Sequence, residues 1–235
     1  MRRAEKIMNG KVAFRREMDL LLPKATSDAL WQEATRRLDG FLTRYGSLPK
    51  GVHMHKDKRI LPAAAVYLTI RDAVGRKEAY RIVEDAAIRN CRPIAAKLQR
   101  LMRLPGMRSL FVQAWDPLTR KLFGPKNGFE NVFYPKTRGE FRMDVVSCPY
   151  CRYFTELGCP ELTRIFCEND ERIYGNLPHL TFTRTSTLGK GAKRCDFHLR
   201  ETSARMRRRF VLAQRSGPNR RDVHTAVREK SGQDV

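Results

Sequence analysis

Near residue 128 the apolar residues change period, and that change limits the folds open to this 235-residue chain. Upstream the spacing is helical. Trp31, Ala34, Leu38, Phe41, Leu42 and Tyr45 recur every three or four residues as one apolar helix face, closed by Gly46 and Pro49. Residues 62–73 and 77–103 read as further helices separated by Gly75. Pro93 breaks or restarts the second, and Pro105-Gly106 closes the helical half. Downstream, 129–134 and 140–146 read as strands joined by a turn at 135–139, with Phe141, Met143 and Val145 facing one way and Arg142 and Asp144 the other. Two short helices follow, about 149–157 and 160–173, each opened by a proline. A hairpin ends the pattern: 180–188, the turn Gly189-Lys190-Gly191, and 193–199, with Cys195, Phe197 and Leu199 on one face and Asp196 and His198 on the other. The expected fold class is α+β, a helical N-terminal half packed with a mostly antiparallel sheet carrying two short inserted helices. Residues 1–50 read as a basic helical N-terminal extension, 51–200 as the α+β core with its sheet region at 128–200, and 201–235 as a basic, peripheral C-terminal tail.

With 47 Lys and Arg against 25 Asp and Glu, the net charge is +22, while 41% hydrophobic residues suffice for a core. The surplus is spread along the chain, and its clearest cluster is Arg205, Arg207, Arg208 and Arg209 in the tail. Zinc-finger spacing and the aromatic signature of an RNA-recognition sheet are both missing. The charge therefore reads as a solvated basic surface, with non-specific polyanion contact through the tail. The longest apolar-rich run, 60–70, is too short to span a bilayer, and MRRAEKIMNG lacks the apolar stretch of a signal peptide. The expectation is a cytoplasmic protein with no membrane partner.

The cysteines carry more information. Cys91 stands alone, whereas Cys148, Cys151, Cys159, Cys167 and Cys195 are clustered. Without a secretion signal they read as reduced, catalytic or metal-binding groups rather than a disulfide framework. Cys148-Pro149-Tyr150-Cys151 follows a strand and opens a helix, so a capping Cys148 would feel the positive helix end and ionise more easily. The tetrapeptide is similar to the redox centre of glutaredoxins, but the βαβ crossover of that fold is missing. Cys167 and Asp170 are helical neighbours at the edge of an apolar face formed by Leu162, Ile165, Phe166 and Ile173. An acid raises the pKa of a neighbouring thiol unless a cation intervenes. The pair therefore calls for Asp170 as a proton acceptor, or for an arginine nearby. Arg184, a lone cation between Phe182 and Leu188, requires a partner or ligand. Three alternatives stay open: the Gly189-Lys190-Gly191 turn is a basic hairpin tip or an anion site; the five thiols pack, react, or bind zinc or an iron–sulfur cluster; His53-x-His55 is a metal or proton-transfer element or a polar helix approach.

Taken together, Val145-Val146-Ser147-Cys148-Pro149-Tyr150, Glu161-Leu162 with Phe166-Cys167-Glu168-Asn169-Asp170, and Phe182-Thr183-Arg184 through Gly189-Lys190-Gly191 to Cys195-Asp196-Phe197 resemble the L-2-amino-thiazoline-4-carboxylic acid hydrolase-like family. The resemblance runs upstream through the 77–91 helix, Ile60-Leu61-Pro62-Ala63 and His55, covering roughly residues 53–200. It implies a hydrolase that opens a small cyclic thioimidate to N-carbamoyl-L-cysteine, with a carboxylate-bearing small molecule as partner and no cofactor or metal. Water must add at the carbon between ring sulfur and nitrogen, and the sulfur must leave as a thiol. Either a thiolate attacks that carbon first or a carboxylate activates water directly. On the matching positions the resemblance implies Cys167 as nucleophile, Asp170 as base and Cys195 as a further thiol of the catalytic set. Arg184 would anchor the substrate carboxylate. Cys148, Asn169, Thr187 and Asp196 would complete the substrate pocket, Asp196 by orienting a donor. Cys151 and Cys159 fall outside the shared pattern and leave a thiol redox or metal-binding function as the alternative.

Overall fold

A helix with no polar face forms the centre of the fold. The computed structural model describes residues 3–202, and in it every residue from Leu61 to Ile70 is buried. A segment apolar on all sides is stable only when covered all round. This helix, α5 (Leu61–Val74), packs against α3 (Lys24–Arg44) and α6 (Arg76–Met102). Ala34, Leu38 and Leu42 of α3 and Ala79, Ile82, Val83 and Ala86 of α6 are buried there. Each large side chain so covered contributes about 1.5–3 kcal/mol. Ahead of α3, α1 (Arg3–Asn9) and α2 (Val12–Leu21) add Ala4, Met8, Phe14 and Met18 to the same core. The basic tail, with Arg205, Arg207, Arg208 and Arg209, lies outside the described residues.

Two features of this half differ from the sequence expectation. Helix α6 runs unbroken through Pro93, which is exposed, where the hydrogen bond that proline cannot make is lost at the solvent side and not in the core. The helical half also does not close at Pro105-Gly106. A further helix, α7 (Met107–Phe123), follows and buries Val112, Trp115 and Thr119 at a spacing of three and four.

The remaining residues form the expected α+β architecture. Strands β1 (Glu130–Phe133), β2 (Glu140–Ser147), β3 (Leu180–Thr183) and β4 (Cys195–Glu201) make one antiparallel sheet in the order β1-β2-β4-β3. Phe141, Met143 and Val145 lie opposite Leu199, Phe197 and Cys195, which fixes these residues on a common face. Helices α8 (Pro149–Glu156) and α9 (Leu162–Tyr174) are inserted between β2 and β3. Gly158, at φ 74°, closes α8 as the Cys159 N–H reaches back 2.8 Å to the Phe154 carbonyl. Pro160 belongs to this turn and not to α9.

The expected tight hairpin is absent. Strand β3 stops at Thr183, and residues 184–194 leave the sheet for α9, making a 3-10 turn at Leu188–Lys190. Asp196 redirects the chain. Its carboxylate accepts the Thr185 N–H (3.2 Å) and hydroxyl (2.5 Å) and the Ser186 N–H (2.6 Å) and hydroxyl (2.8 Å). Partial burial opposes its charge, and these donors outweigh burial, bringing its pKa down to about 2.

Helix α4 (Lys50–His55) enters α5 through a π-helical turn, Lys56–Ile60. Lys56 is fully buried; its Nζ donates to the Tyr45 carbonyl (2.9 Å) and pairs with Asp57 (2.6 Å). Asp57 also meets His53 Nδ1 at 2.9 Å and pairs with Arg3. Replacing Asp57→Ala strands a buried ammonium, so urea unfolding should show a loss of about 3–5 kcal/mol, part of it recovered by adding Lys56→Met.

Candidate active site

Cys167 and Asp170 sit one turn apart on α9, and Arg184, the first residue beyond β3, is built between them. Its Nη1 donates to Asp170 Oδ2 at 2.8 Å and its Nη2 to the Cys167 carbonyl at 2.7 Å. The guanidinium lies 5.3 Å from the Phe197 ring centre and 5.9 Å from that of Phe182. Only 5% of its side chain is exposed. Both terminal nitrogens are engaged by protein, so Arg184 stands here as the partner of Asp170 and not as a free carboxylate receptor. Its Nε and the Thr187 hydroxyl are buried without a hydrogen-bond partner among the described residues.

Asp170 keeps 32% of its side chain accessible. Burial raises its pKa to about 6, against the pull of Arg184 and, further off, Arg59. The Cys167 thiol is shifted the other way. Its sulfur accepts a hydrogen bond from the Cys195 thiol, and although burial disfavours the anion, Arg184 and the Gly189 N–H favour it, so its pKa is lowered. Cys195 is the donor of that bond and is itself pushed up. The Leu188 N–H meets the Cys195 sulfur at 3.2 Å. A side chain on Gly189 would place its Cβ 3.0 Å from the Cys167 sulfur, so the turn reaches this sulfur only because residue 189 has none.

A second thiol pair opens α8. Cys148 occupies the cap position but makes no side-chain cap bond. It donates instead to Cys151, which together with burial raises its own pKa and lowers that of Cys151. The helix-start thiol that ionises more easily is therefore Cys151, the reverse of the sequence reading. Cys151 in turn lies within electrostatic reach of Cys167. All six cysteines are free, and Cys159 is a core residue whose pKa burial pushes up to about 12. Among the described residues no three His, Cys, Asp or Glu side chains are arranged to hold a metal ion.

The site named from sequence is thus brought together at Cys167, Asp170, Arg184 and Cys195, with Thr187 opening the adjoining turn and Cys148 held on Cys151. Asn169 accepts from Arg172 at 3.1 Å, and Asp196 anchors the loop, so both are engaged by protein. Sequence reasoning did not foresee the pairing of Tyr150 with His55. His55 Nε2 lies 2.7 Å from the Leu122 carbonyl and Nδ1 lies 3.0 Å from the Tyr150 hydroxyl. A carbonyl only accepts, so Nε2 carries the proton. Burial lowers the His55 pKa and keeps the ring neutral, which makes Tyr150 the donor to Nδ1. Burial pushes the Tyr150 hydroxyl pKa up, and the positive charge of Arg59 offsets part of that rise. The His-x-His spacing flagged His55, but nothing local to the sequence joins it to a tyrosine 95 positions away.

A family model described as L-2-amino-thiazoline-4-carboxylic acid hydrolase matches residues 53–199. The chain belongs to the L-2-amino-thiazoline-4-carboxylic acid hydrolase family. The matched span takes in the π-helical turn, both thiol pairs, Arg184 and most of β4. No curated protein and no solved structure matches the chain. Among the described residues no helix is long and apolar enough to cross a membrane. For this member of the L-2-amino-thiazoline-4-carboxylic acid hydrolase family the opposite shifts within each thiol pair predict an order of reactivity. Brief iodoacetamide treatment near pH 8 should label Cys167 and Cys151 ahead of Cys148, Cys159 and Cys195 on peptide mass mapping. Cys195→Ala should slow labelling of Cys167 by removing its donor.

Proposed function

We propose that the protein hydrolyses a small cyclic thioimidate- or amidine-type carboxylate, with L-2-amino-thiazoline-4-carboxylate opened to N-carbamoyl-L-cysteine. One observation carries the reading: a thiol whose surroundings favour the thiolate stands one helical turn from a carboxyl with a pKa of about 6, and one arginine binds that turn of helix and the carboxyl. The family membership supports the same chemistry.

The Cys167 thiolate adds to the ring carbon between sulfur and nitrogen. The carbon–sulfur bond of the ring breaks, and the sulfur leaves as a thiolate. This gives an isothiourea on Cys167. Asp170, ionised above pH 6, takes a proton from water as it adds to the same carbon and passes that proton to the departed sulfur, which becomes the product thiol. The bond to Cys167 then breaks, N-carbamoyl-L-cysteine is released, and the thiolate is restored. A general base is most effective when its pKa lies near the working pH, which suits Asp170. Cys195 donates to the Cys167 sulfur whenever that sulfur carries charge.

The test is mass spectrometry of the reduced protein with the substrate. Wild type should yield N-carbamoyl-L-cysteine, and Cys167→Ser and Asp170→Asn should each lose about 10²–10⁴-fold while remaining folded. The rate of the wild type should rise with pH about an apparent pKa near 6, as the Asp170 carboxyl loses its proton. Full activity in either variant removes that residue from the mechanism. The two touching thiol pairs favour a second reading, thiol–disulfide exchange. It requires that oxidation removes two hydrogens at Cys148 and Cys151, or at Cys167 and Cys195, and that a reductant returns them.

A further inference from the structure

We propose that the corner where α6 turns into α7 is a docking surface for an anionic lipid bilayer. The inference is independent of the hydrolase reading and concerns where the protein binds, not what it turns over.

Between Asp85 and Asp116 the chain carries no acidic residue, while Arg89, Arg92, Lys97, Arg100, Arg103 and Arg108 fall in the same stretch. Arg89 is paired with Glu17 and Arg108 with Glu201. Arg92, Lys97, Arg100 and Arg103 are all exposed, and none of them pairs with a carboxylate among the described residues. At about 100° per residue they fall on one side of the helix, opposite the buried Cys91 and Met102. A single unpaired cation on a helix surface is ordinary. A row of them with no acid between them attracts anions.

The same corner exposes large apolar side chains. Ile94 is 49% exposed, and Leu101, about two turns further along the same line of α6, is 38% exposed. Leu104 and Leu110 are each 56% exposed. Leu104 belongs to the turn 103–106, in which every residue is exposed. The turn is nevertheless ordered: the Arg103, Leu104 and Met107 N–H groups donate to the carbonyls of Arg100 (3.3 Å), Leu101 (3.1 Å) and Leu104 (3.3 Å). Leucine is thus held in water at the tip of a basic corner.

Cations interleaved with leucines fit the interface of an anionic membrane, where headgroups take the charges and the acyl boundary takes the apolar side chains. A second copy of the chain would bring like charges together. A nucleic acid would leave the leucines in water, and it finds no aromatic side chain to stack on, because residues 81–110 contain none. Among the described residues no helix is long and apolar enough to cross a membrane, so the contact is at the bilayer surface. The lack of a spanning run, on which the expectation of no membrane partner rested, does not bear on such a contact.

The test is co-sedimentation of the full chain with vesicles of phosphatidylcholine, alone or with about a quarter of phosphatidylserine. The protein should pellet with the anionic vesicles, stay in solution with the neutral ones, and be released as salt rises. Each basic residue near such a surface strengthens binding about fivefold, so Arg100→Gln with Arg103→Gln should weaken it about 25-fold. Leu101→Ser with Leu104→Ser should also weaken it. All four positions are exposed, so both variants should keep the fold, which far-UV circular dichroism checks. No pelleting of the wild type with anionic vesicles, equal pelleting with neutral ones, or pelleting that either pair of substitutions leaves intact overturns the assignment. If the leucine pair alone is without effect, the corner is a general polyanion surface and not a membrane contact.

Discussion

Arg184 ties the edge of the sheet to helix α9, and the geometry of the site depends on that tie. Removing a guanidinium from water costs several kcal/mol. Here the cost is offset by a carboxylate, a backbone carbonyl and the faces of two phenylalanines. Once the start of the loop is fixed, Leu188 and Gly189 bring successive N–H groups to the sulfurs of Cys195 and Cys167. The same cation resolves an electrostatic conflict. A thiolate and a carboxylate one helical turn apart raise each other's pKa, and a positive charge that acts on both lowers each. Burial then lifts Asp170 back to about 6, so it changes charge near neutrality.

The parts of this arrangement that follow a local period were readable in the sequence. Alternation placed Cys195, Phe197 and Leu199 on one face of β4, and a spacing of three placed Cys167 beside Asp170. The family resemblance was carried by those same positions. What was not readable depends on contacts between distant segments. The turn Gly189-Lys190-Gly191 has the composition of a hairpin tip, but four hydrogen bonds to Asp196 pull the chain out of the sheet before it can close one. Pro93 signals a break, yet in a helix packed along its other face it is tolerated on the exposed side. Cys148 sits where a cap lowers a thiol's pKa, and a neighbouring sulfur reverses the outcome. Helix α7 was missed because Pro105-Gly106 reads as an end and Pro117 lies within the helix.

The helical half is more than a scaffold for the sheet. Cys167, Asp170 and Arg184 come from α9 and the residue after β3, but Tyr150, which packs on Phe166 of α9, is held by a histidine from α4. The family match begins at residue 53, inside α4, and not at the sheet. The two halves therefore meet where Tyr150 bonds to His55.

The π-helical turn at Lys56–Ile60 also sets a limit on chain length. It fits an additional residue into a helix that would otherwise run without interruption from α4 into α5. Each residue of an α-helix advances the chain by about 100°. Deleting a single residue between Lys56 and Ile60 would let ordinary helix form across the gap and rotate everything before it by about that angle relative to α5. His55 would then face away from Tyr150, while α5 stayed seated in the core. Relatives that share this site should accept substitutions in the segment far more readily than a change in its length.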